Sequence, residues 1–159
     1  VFSEVGYNFE PSEVGASFGL IQLKKFKNFN RQRNKNFNQH LKFFKKYNDY
    51  FILPRINKNV KTNFLAYPII IRKNKFFNRK ELQVFLEKNN IQTRPIFSGN
   101  ILRHPAFRKF TSNYNKVQSF PNADYIMKHG ILIGCHQGID FNMRNYIYKK
   151  LKKFLSNLN

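Results

Sequence analysis

The segment from Gln92 to Arg103 combines residue types that can bind an anionic ligand. It begins Gln-Thr-Arg-Pro-Ile-Phe-Ser-Gly-Asn, and a second arginine follows a few residues later. The guanidinium groups of Arg94 and Arg103 suit phosphate or carboxylate, because each offers several N–H donors in one rigid plane. Loops of this kind often carry binding residues. A solvated loop without a ligand is an equally good interpretation of the same residues.

A second candidate binding residue, Asn8, lies in the sequence Gly6-Tyr7-Asn8, shortly before a predicted helix. Anions are favoured at the N-terminus of a helix, and an asparagine amide can add a further donor there. Asparagine is also a common turn residue, because its side chain hydrogen-bonds readily to the nearby backbone. The residue types alone favour the turn interpretation for Asn8.

No arrangement of titratable side chains in the sequence indicates a catalytic or metal site. The eight carboxylates are scattered, and the four histidines show no metal-ligand spacing. We expect His40 to lie on a helix surface. Cys135 and His136 are neighbours at a predicted strand, so their side chains point to opposite faces and cannot readily hydrogen-bond. The expected role of Cys135 is therefore that of a buried structural cysteine.

Apolar periodicity and turn residues predict the elements that must position these candidates. Asn78 and Glu81 have the spacing of a capping box, and Asp140 is placed to cap the last helix. The predicted helices cover residues 12–25 and 28–48, then a segment from 79 to about 88, a short segment from 121, and residues after 140. The predicted strands cover residues 51–53, 64–72, 91–97 and 131–135.

Two predicted helices have clear apolar faces. In the second helix, Phe37, Leu41 and Phe44 recur at helical spacing. The apolar face of the last helix is formed by Met143, Ile147, Leu151, Phe154 and Leu158. The order of elements predicts an α+β fold, in which a small, mostly antiparallel sheet is covered by helices on one side.

The composition is that of a single globular domain. The chain has 159 residues, of which 42% are hydrophobic, enough for a sizeable core. Its longest apolar runs fall far short of the ~20 residues that a membrane-spanning helix needs. The first residues lack the features of a signal peptide. One cysteine excludes an internal disulfide, so a reducing cytoplasm is the expected location.

Net charge is the strongest feature of the composition. The chain has 29 Lys and Arg against 8 Asp and Glu, a formal charge of +21, which attracts nucleic acid, anionic lipid or phosphorylated ligands. Its abundant Lys, Asn, Phe, Ile and Tyr are also typical of AT-rich codon usage. A basic nucleic-acid-binding module remains an alternative function, supported by the interleaved Phe and Lys of residues 26–44. The helical spacing of those phenylalanines favours their burial instead.

Several motifs resemble, in the same order along the chain, those of the DegT/StrS family of pyridoxal-phosphate sugar aminotransferases and dehydratases. The segment from Gly6 to Leu23 is similar to the signature that follows the large domain in this family. The form Thr-Arg-x-x-Phe-x-Gly-Asn resembles the nucleotide-sugar 3-dehydratase branch, of the CDP-4-keto-6-deoxyglucose kind. Aminotransferases usually have a His-Tyr-x-Pro type of loop there. Two further segments also resemble the dehydratases: Pro121-Asn122-Ala123-Asp124 and Ile133-Gly134-Cys135-His136-Gln137-Gly138.

This resemblance implies that the chain is the C-terminal part of a fold-type I enzyme dependent on pyridoxal or pyridoxamine 5'-phosphate. Residues 1–26 would be the end of the large domain and the interdomain helix, and residues 27–159 the small C-terminal domain. The cofactor ring, its Asp partner and the catalytic Lys, or His in the dehydratases, would lie upstream. The chain would then hold no catalytic residue and no metal ligand, and would be inactive alone.

The resemblance also implies roles for three residues. Asn8 would reach the cofactor phosphate of the neighbouring subunit in a homodimer, and Arg94 and Asn100 would lie near the nucleotide-sugar substrate. The implied activity is 3-dehydration of a 4-keto-6-deoxy sugar nucleotide for deoxysugar and O-antigen synthesis, with a sugar aminotransferase or a dimerisation fragment as alternatives. Neither nucleic acid nor a membrane is an implied partner.

Two departures from the family pattern stand out. Glu10 occupies a position where a basic residue is common, and a single cysteine cannot supply the ligand set of the iron–sulfur cluster that some dehydratases carry.

Overall fold

Residues 9–107 and 120–158 are described by a computed structural model, and they form an antiparallel sheet with helices packed against it. The helices are α1 (Glu13–Phe44), α2 (Arg79–Lys88), α3 (Pro121–His129) and α4 (Phe141–Ser156). The strands are β1 (Phe51–Ile52), β2 (Ala66–Ile71), β3 (Thr93–Pro95) and β4 (Gly130–Gly134). Short 3-10 turns occupy Lys45–Tyr47, Ile101–Arg103 and Pro105–Phe107.

The strand order is β1-β2-β4-β3, and each neighbouring pair is antiparallel. This arrangement confirms the predicted α+β fold. Side chains alternate between the two faces of the sheet. The inner face is buried against α1, α2 and α4, and carries Tyr67, Ile69, Ile71, Ile131 and Ile133. The outer face carries Ala66, Pro68, Ile70, Leu132 and Arg94, none of which is fully buried.

Proline in the second strand of a sheet would normally cost a ladder hydrogen bond, because proline has no N–H. Arg72 donates its backbone N–H to Tyr50, so alternate residues of β2 direct their backbone groups toward β1. Pro68 lies four residues earlier and belongs to the same set. The pairing of β1 with β2 reaches only to Ile70, so the missing N–H of Pro68 faces the side that β1 no longer covers. The register therefore tolerates Pro68.

The prediction of two helices before the first strand was wrong, because α1 runs unbroken over 32 residues. No proline or glycine interrupts the chain where the break was expected. Side-chain hydrogen bonds also support the helix there: Arg31 donates to Asn28 at 2.9 Å, and Asn34 donates to the side chain of Asn30 at 2.6 Å. The helix passes through residues 26 and 27, the boundary expected between the two parts of the chain.

The two halves of α1 differ in environment. Phe37 and Phe44 are buried in the core, which confirms the burial expected from their spacing, and Leu41 packs against that core while partly buried. Phe43, which the spacing did not include, is buried as well, whereas Phe26 is half exposed. Burying one such side chain stabilises a fold by about 1.5–3 kcal/mol. Val14 and Phe18, by contrast, are exposed in this chain. These two apolar side chains in the first half of α1 therefore lie mostly outside the core. No helix within the described ranges is long and apolar enough to cross a membrane.

Both predicted helix caps are confirmed. The side chain of Asn78 accepts from the backbone N–H of Glu81, whose carboxylate accepts from the backbone N–H of Asn78, and this completes the capping box. Asp140 accepts from the backbone N–H of Met143 at the start of α4. The apolar face predicted for α4 needs one correction, because Met143 is more than half exposed. Leu155 is buried in the core instead.

The expectation that His40 lies on a helix surface was wrong, because its side chain is completely buried between α1, β4 and α4. Its Nε2 lies 3.1 Å from the carbonyl oxygen of Gly134, and its Nδ1 lies 3.1 Å from the hydroxyl of Tyr148. A carbonyl only accepts, so Nε2 carries the proton and Nδ1 accepts from Tyr148. Burial lowers the pKa of His40 to about 4, against the pull of its bond to Gly134, so the imidazole is neutral.

Candidate functional site

Arg94 lies on the outer face of the sheet, where a bound molecule can reach it. It stands opposite Leu132 of β4, and Leu132 stands opposite Pro68 of β2, so the three residues form one row across three strands. The Arg94 side chain is exposed, and its guanidinium makes no hydrogen bond within the described part of the chain. Hydrogen bonds from the side chain and backbone of Thr93 lower the pKa of the Glu87 carboxyl, and the positive charge of Arg94 adds to this shift. An exposed guanidinium of this kind suits a phosphate or a carboxylate.

The loop after β3 has an unusual backbone at two positions. Phe97 has φ of 46° and Gly99 has φ of 66°, both in the left-handed region. The backbone N–H of Gly99 donates to the carbonyl oxygen of Ile96 at 3.1 Å, and this hydrogen bond closes a turn over residues 96–99. Phe97 is among the most exposed large apolar side chains, at 86% of its full accessible area. A non-glycine residue in this conformation is strained, and such strain is concentrated at functional sites.

The packing of α3 explains why residue 99 is a glycine. A Cβ at Gly99 would fall within 2.4 Å of the Cβ of Met127, and within 2.8 Å of the Met127 main chain. The backbone of α3 cannot yield as easily as a flexible side chain, so this close approach requires glycine. The loop is therefore seated directly on α3.

Asn100 is buried and fastens the same loop to α3. Its Nδ2 donates to Oδ1 of Asp124 at 2.8 Å, and its Oδ1 accepts from the backbone N–H of Leu102 at 3.1 Å. Both ends of the amide are thus engaged within the chain. The contact with substrate that the resemblance implies for Asn100 stays a prediction.

Arg103 completes the attachment by binding the same carboxylate through two nitrogens. Its Nε and Nη2 donate to Oδ1 and Oδ2 of Asp124 at 3.0 and 2.8 Å. These hydrogen bonds from Arg103, followed by the one from Asn100, lower the pKa of Asp124 to about 2. Asp124 therefore remains ionised throughout the physiological range.

Sequence reasoning assigned no role to Asp124 and placed Arg103 among ligand-binding candidates. The structure brings Arg103 to Asp124 across 21 residues of sequence, so the guanidinium already has an anionic partner. Of the two arginines in residues 92–103, Arg94 is the one that forms no ion pair with a carboxylate among the described residues. The one signal for Asp124 was its position in the Pro-Asn-Ala-Asp segment, which resembled the dehydratases without indicating a contact.

Cys135 and His136 behave as predicted for separate structural residues. Cys135 is fully buried, burial raises its thiol pKa to about 12, and its Sγ contacts the carbonyl oxygen of Arg33. His136 accepts through Nδ1 from the backbone N–H of Gly138. The thiol therefore stays protonated and is not a nucleophile. Within residues 9–107 and 120–158, no three His, Cys, Asp or Glu side chains are grouped closely enough to hold a metal ion.

Asn8 lies outside the described residues, so the structure gives no geometry for it. Its implied contact with a cofactor phosphate remains a prediction.

The chain is similar in sequence to proteins of lipopolysaccharide and nucleotide-sugar metabolism. The chain is 29% identical over 153 residues to the lipopolysaccharide biosynthesis protein RfbH of Salmonella typhimurium, covering 96% of this chain and 35% of that protein. It is 31% identical over 147 residues to the GDP-4-keto-6-deoxy-D-mannose 3-dehydratase of Escherichia coli O55:H7, covering 92% of this chain and 37% of that enzyme.

A solved structure shows that the similarity extends to the fold. The E. coli GDP-4-keto-6-deoxy-D-mannose-3-dehydratase with bound hydrated PLP superimposes with a TM-score of 0.76 at 29% identity, over 95% of this chain and 38% of that one. The chain thus spans little more than a third of the length of these relatives. Residues 1–152 match the family described as DegT/DnrJ/EryC1/StrS aminotransferases. The chain belongs to the DegT/DnrJ/EryC1/StrS aminotransferase family.

Proposed function

We propose that this chain is the C-terminal, substrate-facing part of an enzyme that removes the C3 hydroxyl from a 4-keto-6-deoxy sugar nucleotide for deoxysugar synthesis. The observation that carries the proposal is the position of Arg94, an exposed guanidinium on the outer face of the sheet beside a loop fastened to α3. Nucleotide sugars carry a diphosphate, which an arginine can bind through two parallel hydrogen bonds. The named 3-dehydratase relatives support the choice of reaction.

The residues of this chain would bind and orient the substrate rather than transfer protons. Arg94 would bind the diphosphate. Asn100 would lie near the substrate, while its side-chain amide holds the loop on Asp124. Phe97, strained and exposed, would add an apolar surface over the ligand. A ligand bound there would be shielded from water on the side of the loop.

The cofactor of the complete enzyme would be pyridoxal or pyridoxamine 5'-phosphate, which supplies an electron sink for the loss of a proton beside the keto carbon. The exposed guanidinium of Arg94, on the outer face of the sheet, fits a site that holds the phosphate groups of a cofactor or substrate. Asn8 would donate a hydrogen bond from its side-chain amide to the cofactor phosphate of the neighbouring subunit, so the active enzyme would be a homodimer.

Residues 1–26 would belong to the large domain and the interdomain helix, and residues 27–159 to the small domain. The enzyme would act in the cytoplasm.

A sugar aminotransferase is the alternative that the family description supports. The residue that decides between the two reactions would lie in the upstream domain, as a His or as a Lys. We therefore expect the chain of residues 1–159 to be inactive alone.

The experiment is mass analysis of the product formed by the complete protein. It would be incubated with the cofactor, glutamate and 4-keto-6-deoxy sugars linked to GDP, dTDP or CDP. Loss of the C3 oxygen supports the dehydratase, and replacement of the keto oxygen by an amine supports the aminotransferase. Turnover of none of these sugars would contradict both. Turnover by the isolated 159-residue chain would show that no upstream catalytic residue is needed.

A further inference from the structure

A basic groove lies between α1 and α4, on the inner side of the sheet and away from Arg94. The rings of Phe43 and Tyr148 stack at 4.2 Å and join the two helices beneath it. The groove has a volume of about 470 Å³. Four lysines line it: Lys42 from α1, Lys46 from the 3-10 turn that follows α1, and Lys149 and Lys152 from α4.

These four ammonium groups have no counter-charge in the groove. No carboxylate lines it among the described residues, and the one ion pair found within residues 9–107 and 120–158 joins Arg103 to Asp124. Three other carboxylates, those of Glu81, Glu87 and Asp140, accept hydrogen bonds elsewhere. Like charges one helical turn apart destabilise a helix slightly, as Lys149 and Lys152 do in α4, and Lys42 and Lys46 add two more positive charges to the same groove. A bound anion would relieve this repulsion.

We propose that this groove binds an anion carrying two or more phosphates. Ammonium groups on two walls can contact separate phosphates of one ligand, and the exposed amides of Gln39 and Asn145 on the same lining can donate to its oxygens. A free oligophosphate fits a concave site of this size, whereas a flat bilayer would contact its rim alone.

The aromatic residues of the groove argue against single-stranded nucleic acid as the ligand. Base stacking needs an exposed ring face. Phe43 is buried and is covered by Tyr148, whose hydroxyl is bonded to His40. The groove therefore offers charge and amides, and neither of its two rings is fully exposed.

The test is calorimetric titration of the protein with sodium tripolyphosphate at about 0.15 M salt, where long-range attraction between exposed charges is largely screened. Two variants each remove one wall, K42Q/K46Q and K149Q/K152Q. The matched control is K80Q/K88Q, which removes the same charge from exposed positions of α2. Glutamine has nearly the helix propensity of lysine, so the three variants should fold alike.

We expect each groove variant to bind tripolyphosphate about tenfold or more weakly, and the control about as well as the unchanged protein. Equal weakening in all three variants would overturn the proposal, because net charge alone would then explain binding. Absence of binding at millimolar tripolyphosphate would also overturn it. Vesicles of anionic lipid and a single-stranded RNA are tested in parallel. Groove-dependent binding of either, without tripolyphosphate binding, would assign the groove to that macromolecule instead.

Discussion

The side-chain amide of Asn100 donates to Oδ1 of Asp124 across 2.8 Å, and this bond joins the loop after β3 to the first turn of α3. Arg103 binds the same carboxylate through two nitrogens. One ionised side chain of α3 thus holds both ends of residues 100–103. The loop that presents Phe97 beside Arg94 is fixed by contacts that need no ligand.

Replacing Asp124 by Asn should change how stability depends on pH. The folded-state pKa of Asp124 is lowered to about 2 from 3.8, so its ionised form stabilises the fold. That contribution is fully present above pH 3.8 and is lost as the pH falls toward 2. Urea unfolding at pH 5, 4, 3 and 2 should show the stability difference between wild type and D124N shrinking over this range. D49N, at an exposed carboxyl that makes no hydrogen bond within the described residues, is the control. A constant difference between wild type and D124N would contradict the assignment.

Replacing Gly99 by Ala should destabilise the protein by roughly 1–3 kcal/mol, because the new Cβ meets Met127 and the backbone has a positive φ. Gly19→Ala is the control. Gly19 lies in α1 with nothing within 4 Å of an added Cβ, so alanine should stabilise the helix by up to about 1 kcal/mol. Chemical denaturation measures both changes. A G99A variant as stable as the wild type would show that the loop is not seated on α3 as described.

Buried His40 should remain neutral well below the usual range for histidine. Its pKa is about 4 in the folded protein against 6.5 in the unfolded chain, so the unfolded state binds more protons between these values. The contribution of neutral His40 to the free energy of unfolding is fully present above pH 6.5. It falls as the pH approaches 4, by roughly 3 kcal/mol in total. A His40→Gln variant should lose this part of the pH dependence, whatever its overall stability. An imidazole NMR signal of His40 that titrates with a midpoint near 6.5 would refute this.

The features that sequence predicted correctly depend on residues close together in the chain. The capping box joins Asn78 to Glu81, and the cap of α4 joins Asp140 to Met143, each across three positions. Phe37 and Phe44 were expected in the core because helical spacing is also local. The break expected after residue 25 was wrong because no proline or glycine stops the helix there.

The features that sequence did not predict depend on contacts between distant residues. His40 meets Tyr148 across 108 positions, and Asn100 meets Asp124 across 24. Neither spacing has a local signature, so the sequence predicts neither the burial of His40 nor the contacts of Asp124. Of the three residues named for the site, the structure describes Arg94 and Asn100, and it shows the Asn100 amide engaged within the chain.

The affinity of the complete protein for a nucleotide sugar, with and without the guanidinium of Arg94, tests the central claim most directly. Calorimetry with GDP-, dTDP- and CDP-linked 4-keto-6-deoxy sugars would compare wild type, Arg94→Ala and Arg94→Lys, with Arg31→Ala on exposed α1 as the control. Losing a charged hydrogen-bond donor costs about 1.5–3 kcal/mol, so we expect R94A to bind roughly 10- to 100-fold more weakly. R94K should be intermediate, because lysine keeps the charge without the planar fork, and R31A should be unchanged. Equal affinity of R94A and wild type for every nucleotide sugar that binds would contradict the account.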